Sequence, residues 1–196
     1  MWSVRLDSEA ASSALAQTRH TGRDLADFAA APDAAHRLLR RRLMRGLVAR
    51  RTGMAQEAIL LGRSVAGAPS VLAPKGWHVS VAGRAPLCLI AVSSRPIGAD
   101  VEPLDDAPPL WDMLTPEEAS HIAALPREEH PHEWLRHWCA KEAHAKRLGY
   151  ARNAEPTAIE IRDTTGGWVA ESREGVSRLF MRTMGGRIEA VAVAPD

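Results

Sequence analysis

The sequence predicts an α+β protein of two lobes, each a small antiparallel sheet packed with helices. The prediction rests on a pattern that occurs twice. An amphipathic helix at residues 34–52 precedes strand candidates at 77–82, 87–93 and 97–102, and a second helix at 131–148 precedes strand candidates between 158 and 194. It rests also on a break between the two. "PLDDAPPL" (103–110) holds prolines and acids that cannot continue a strand, so the lobes are expected at 1–103 and 104–196 within one continuous unit. With 196 residues, 45% of them hydrophobic, the chain can bury a substantial core.

Each element has a local reason. "WSVRL" (2–6) alternates weakly and reads as a first strand. The Ala-rich residues 8–35 are poorly patterned, with Pro32-Asp33 as a candidate helix start. From Ala34 the pattern sharpens: Leu39, Leu43 and Leu47 recur every four residues, Leu38, Met44 and Val48 lie beside them, and Gly53 ends the run. Seven arginines (Arg37, Arg40, Arg41, Arg42, Arg45, Arg50 and Arg51) cover much of the remaining surface, either as a solvated face or as a patch for phosphates. Residues 62–76, rich in Gly, Pro and Ser, read as an irregular loop. The three strands that follow are joined by "GRAP" and "SRP", which predicts an antiparallel meander with the wholly apolar "LCLIAVS" covered on both faces. Thr115, Pro116, Glu117 and Glu118 mark a helix start, Gly149 stops the long helix, and Met184-Gly185-Gly186 predicts a hairpin between the last two strands.

Composition narrows the function classes. Twenty-five Lys and Arg against 24 Asp and Glu leave a net charge of +1, so no general attraction to nucleic acid or membrane is expected. No apolar run reaches the roughly 20 residues that cross a bilayer, and the opening segment lacks the pattern of a secretion signal, so a cytoplasmic protein is expected. Cys88 and Cys139 are then reduced core thiols. Trp77, Trp111 and Trp168 are expected in the core. His121, His130, His132, His137 and His144 show no zinc-ligand spacing.

Two stretches carry chemistry. In "IGADVE" (97–102), strand alternation points Asp100 and Glu102 the same way, with Ala99 and Val101 opposite. Two carboxylates there are either a solvated strand end or partners of one cation, since burying like charges without compensation costs several kcal/mol, about 3 to 5 in a broken buried pair. In the long helix, Trp134, Trp138, Glu142 and Lys146 form one stripe that begins aromatic and ends charged, with Lys141 about 100° away. The stripe is either an ordinary Glu142–Lys146 surface pair or the rim of a site.

The two blocks together resemble the signature of Sfp-type 4'-phosphopantetheinyl transferases. Ile97, Gly98, Asp100 and Glu102 match the first block; Trp138, Cys139, Lys141, Glu142, Ala143, Lys146 and Gly149 match the second, at the family's separation. The opening strand, the Arg-rich helix and the closing "AVAVAP" are more weakly similar. The resemblance implies a pseudo-twofold, two-lobed fold with the active site in the cleft between lobes. It implies Mg²⁺-dependent transfer of phosphopantetheine from coenzyme A to a serine of an apo acyl or peptidyl carrier protein, in fatty-acid, polyketide or nonribosomal peptide synthesis. One chain suffices for such a cleft, so a monomer is expected.

Carried onto this chain, the resemblance makes Asp100, Glu102 and Glu142 the Mg²⁺ ligands, hard oxygens suited to that ion. Glu142 is also the candidate base and Lys146 the group that steadies the coenzyme's pyrophosphate as its bridge breaks and 3',5'-adenosine bisphosphate leaves. Lys141, Lys146, Ser80, Arg37, Arg45 and His78 are the candidate coenzyme A contacts. The chain departs from the family in two places: the usual His after Ser80 is Val81, and the usual Lys of the "Y-G-K-P" loop is Ala68. A degenerate coenzyme A or carrier-protein binder without turnover is the alternative reading. The absence of aromatic interleaving in the Arg-rich helix counts against a nucleic-acid binder.

Overall fold

Pairing of the strand Ile97–Pro103 organises the chain differently from the expected meander. In the computed structural model, which describes residues 2–83 and 86–195, this strand hydrogen-bonds the last strand of the chain instead of its neighbour in sequence. The chain accordingly divides into Met1–Pro96 and Ile97–Asp196, seven residues before the expected boundary. The "SRP" turn joins the two units, and Arg84 and Ala85 of the expected "GRAP" turn lie outside the described residues. The fold is α+β, built of helices and small antiparallel sheets.

The first unit contains β1 (Trp2–Arg5), α1 (Glu9–Ala16), α2 (Gly22–Phe28), α3 (Ala34–Thr52), β2 (Leu60–Arg63), β3 (Pro69–Ala73), β4 (His78–Ala82) and β5 (Leu87–Ser93). The poorly patterned region 8–35 forms two short helices because caps start them: Ser8 accepts from the Ala11 amide, and Thr21 and Asp24 form a capping box. Helix α3 ends where Gly53 takes φ of 70°, a left-handed cap that favours glycine. Its Leu43, Met44, Val48 and Ala49 are buried with Ile59, Leu61, Val79, Cys88 and Ile90. The sheet order is β1-β5-β4, and β2 pairs with β3. Residues 62–76 are therefore not an irregular loop: Gly and Pro punctuate a hairpin whose strands are too short to show alternation.

Three of the seven arginines of α3, Arg41, Arg42 and Arg45, take part in this packing. Arg42 donates to the carbonyls of Leu15 and Thr18, and Arg45 pairs with the buried Asp24 at 2.8 Å. Both readings of that face, solvated or phosphate-binding, give way there to tethering of α1 and α2.

The second unit contains β6 (Ile97–Pro103), α4 (Pro116–Ala123), α5 (His130–Leu148), β7 (Glu160–Thr164), β8 (Gly167–Ser172), β9 (Gly175–Met184) and β10 (Arg187–Val193). Its sheet runs β6-β10-β9-β8-β7, all neighbours antiparallel. Gly185 and Gly186, at φ of 56° and 71°, make the β9–β10 turn, where two successive positive φ values match the twist of the strands. Helix α5 lies on the sheet with Trp134, Leu135, Cys139, Ala140 and Ala143 buried against Ile188, Ala190 and Ala192. Trp111 is not in the core: it is 43% exposed and meets the His130 ring edge-on. Among the described residues no helix is long and apolar enough to cross a membrane.

Candidate active site

Closest approach between α5 and β6 sets the site. A β-carbon on Gly98 would stand 1.9 Å from the Ala143 carbonyl oxygen and 2.5 Å from the Arg147 amide nitrogen, so glycine alone fits and the helix backbone rests on the strand. From that contact the two elements stay in step. Two residues of strand rise about 6.6 Å and four residues of helix about 6 Å, so Gly98, Asp100 and Glu102 face the helical stripe of residues 146, 142 and 138.

The contacts follow that register. The Lys146 ammonium donates to Asp100 Oδ1 at 2.5 Å and lies 3.7 Å from Glu142 Oε2. The Trp138 indole N–H donates to Glu102 Oε1 at 3.3 Å, and the Trp134 and Trp138 rings pack with centroids 5.7 Å apart. The neighbouring carboxylates are thus offset by one ammonium and one indole donor. Burial is the largest influence on Lys146 and acts to lower its pKa, but Asp100, the hydrogen bond to it and Glu142 together carry it above the usual lysine value. Cys139, wholly buried beside Asp100, has its thiol pushed well up, by burial first and by the Asp100 charge second. Asp100 and Glu102 are buried, whereas Glu142 is a quarter exposed and is the carboxylate that solvent reaches most readily.

The three carboxylates do not surround one point. Among the described residues no group of three His, Cys, Asp or Glu side chains is arranged to hold a metal ion. Lys146 joins Asp100 to Glu142, and Trp138 holds Glu102. The donor set nevertheless suits a hard divalent cation: all three are carboxylates at one helix–strand contact, and Asp100 Oδ2 is buried with no hydrogen-bond partner.

Lys141 is placed elsewhere. Its side chain is 2% exposed, and its ammonium meets Glu118 Oε2 at 2.6 Å, the Pro156 carbonyl at 2.7 Å and the Met113 carbonyl at 3.2 Å. A lysine with its donors filled in the interior is not brought to the carboxylates. Glu118, read from sequence only as a first-turn acid, is its buried partner; the capping box Thr115 to Glu118 was the signal that the side chain is held.

A second cluster lies in the first unit. Phe28, Arg37, Arg40, Arg41, Arg63 and Val81 line a cavity of about 100 Å³. The Arg41 and Arg63 guanidinium carbons lie 5.0 and 5.6 Å from the Phe28 centroid. Arg41 is 2% exposed; burial lowers its pKa, opposed by Asp24 and Asp27 and reinforced by Arg45 and Arg63. Arg41 Nη1 and Arg40 Nε are buried with no hydrogen-bond partner. Of the two sequence candidates, Arg37 lines this cavity, half-occupied by Asp33, while Arg45 is committed to Asp24. Ser80 and His78 lie on the β4 face opposite Val79 and Val81, since the strand alternates, and so point away from it.

Residues 96–179 match the family model of the 4'-phosphopantetheinyl transferase superfamily. The stretch runs from just before β6 into β9 and includes Asp100, Glu102, Lys141, Glu142 and Lys146. No match to a curated protein was found. Small antiparallel sheets with helices are consistent with the superfamily's fold.

Proposed function

We propose that the chain transfers the 4'-phosphopantetheine group of coenzyme A to a serine of an apo acyl or peptidyl carrier protein, releasing 3',5'-adenosine bisphosphate. One observation carries the reading: within the stretch that matches the superfamily, Asp100, Glu102, Glu142 and Lys146 gather at the single contact that Gly98 makes possible. Asp100, Glu102 and Glu142 would hold Mg²⁺, which when bound neutralises charge between the pyrophosphate oxygens. Asp100 would offer the ion its unpartnered Oδ2, and the Lys146 ammonium on Oδ1 would be the charge beside the leaving phosphate. Glu142, the most exposed of the three carboxylates, is the base that takes the proton of the carrier serine.

The arginine cavity supports a contact to the 3'-phosphate of the coenzyme. Arg40 Nε and Arg41 Nη1 are buried there without hydrogen bonds, although Arg41 also meets Asp24 at 3.9 Å and Asp27 at 3.3 Å, and the close arginine charges favour an anion; Val81, Gly67 and Pro69, from the two stretches where the chain departs from the family pattern, line the same cavity. Arg41 and Arg63, with Arg37 and Arg40, take over the work expected of the missing His and Lys. Release of 3',5'-adenosine bisphosphate on adding apo carrier protein to coenzyme A, Mg²⁺ and the chain tests the reading.

A binder without turnover is the second reading, favoured by the ammonium that stands on Asp100. It predicts coenzyme A binding with no bisphosphate released.

A further inference from the structure

We infer that the buried Lys141–Glu118 pair is a positioning device that fixes the rotation of α5 and with it the placement of Glu142. The inference rests on the transfer reading above for its functional consequence.

Every polar group of the pair is used. The three ammonium donors of Lys141 meet three acceptors, Glu118 Oε2, the Pro156 carbonyl and the Met113 carbonyl. Glu118 Oε2 also accepts from the Thr115 amide at 2.9 Å, and Oε1 accepts from the Ile161 amide at 2.8 Å. One ion pair thereby ties the middle of α5 to the start of α4, to β7, and to the turns at Trp111–Met113 and Pro156–Ala158. Both side chains are 2% exposed, so no ligand in solvent reaches the ammonium.

Stability alone is a poor reason for such a pair. Well-packed apolar residues of similar volume hold two elements together as well as a buried ion pair does, or better. What the pair adds is direction. An apolar contact tolerates slip of a helix about its axis, whereas an ammonium facing three fixed acceptors sets both the height and the azimuth of residue 141. Glu142 is the next residue, about 100° around the same helix, and inherits that setting. The Gly98 contact holds α5 against the sheet on one side, and Lys141 locks its rotation from another.

The test is a steady-state comparison of Lys141→Met and Glu118→Gln with the wild type, on protein shown to be folded by its circular dichroism melt. A displacement of Glu142 by about 1 Å lowers kcat roughly 100-fold, with KM for coenzyme A unchanged. A higher KM with kcat retained would mark Lys141 as a coenzyme contact and overturn the inference, as would full activity in both variants. Where Lys141→Met does not fold, Glu118→Gln, which keeps the shape and removes the charge, carries the same test. Amide hydrogen exchange separates this inference from the transfer reading. Faster exchange along residues 138–146 in the variants supports the positioning pair even where the wild type transfers nothing, and unchanged exchange overturns it.

Discussion

Gly98 lies directly beneath the Ala143 carbonyl, so close that a methyl group between them would overlap the oxygen at 1.9 Å. The contact sets the distance from β6 to α5 and so allows Lys146 to reach Asp100. Both obstacles to a β-carbon are backbone atoms, which cannot swing aside. Gly98→Ala is expected to destabilise the fold by about 3 kcal/mol, at the upper end of core overpacking. Denaturant unfolding would show this as a lower midpoint at unchanged slope. A variant as stable as the wild type would mean that the helix sits further from the strand.

Trp138 connects the aromatic end of the stripe to its charged end. Trp138→Phe keeps ring packing on Trp134 but removes the N–H that holds Glu102. Groups that orient metal-binding carboxylates are typically worth 10- to 100-fold in metal affinity or activity. Mg²⁺ titration of transfer activity is therefore expected to shift at least about 10-fold in this variant. An unshifted titration would detach Glu102 from the metal.

For the arginine cavity, the chemical probe is a coenzyme lacking one phosphate. Arg63→Met is expected to weaken coenzyme A binding about 10- to 100-fold, as loss of a charge-assisted hydrogen bond does, and to leave dephospho-coenzyme A binding nearly unchanged. Calorimetry with both ligands measures the difference. Equal losses for the two would move the 3'-phosphate away from Arg63.

His144 gives the fold a pH dependence. It is fully buried between Ser177 and Ser172, and burial, helped by Arg147, pulls its pKa from 6.5 down to about 4. The folded chain therefore keeps the ring neutral while the unfolded chain takes up a proton below about pH 6.5. The stabilisation is complete above that pH and is lost as the pH falls toward 4, on the order of 3 kcal/mol over that window. Unfolding free energies at pH 7 and pH 4.5 should differ less in His144→Asn than in the wild type; equal differences would mean that His144 titrates normally.

Helices were the most legible part of the sequence, because their signals are local. The Leu39, Leu43, Leu47 spacing and Gly53 bounded α3, and the Thr115 to Glu118 box bounded the start of α4. Strand partners were not legible in the same way. β6 follows β5 by a short turn yet pairs with β10, about 90 residues on, a long-range choice that no local signal in the sequence carries. In the site, alternation put Asp100 and Glu102 on one strand face and fourfold spacing put Glu142 and Lys146 on one helical stripe, but only the family resemblance joined the two stretches. Spacing set Lys141 about 100° off that stripe but could not show that it turns into the interior, to Glu118, Pro156 and Met113. Nor could it tell Arg45 from Arg41, which one helical turn separates: both meet Asp24, but only Arg41 also lies over the Phe28 ring at the cavity.

The mass of an apo carrier protein after incubation with the chain, coenzyme A and Mg²⁺ tests the central claim most directly. The account predicts the added mass of one phosphopantetheine on the carrier serine, lost in Glu142→Gln and in Asp100→Asn. Unmodified carriers of both acyl and peptidyl type, with coenzyme A still bound to the chain, would contradict it.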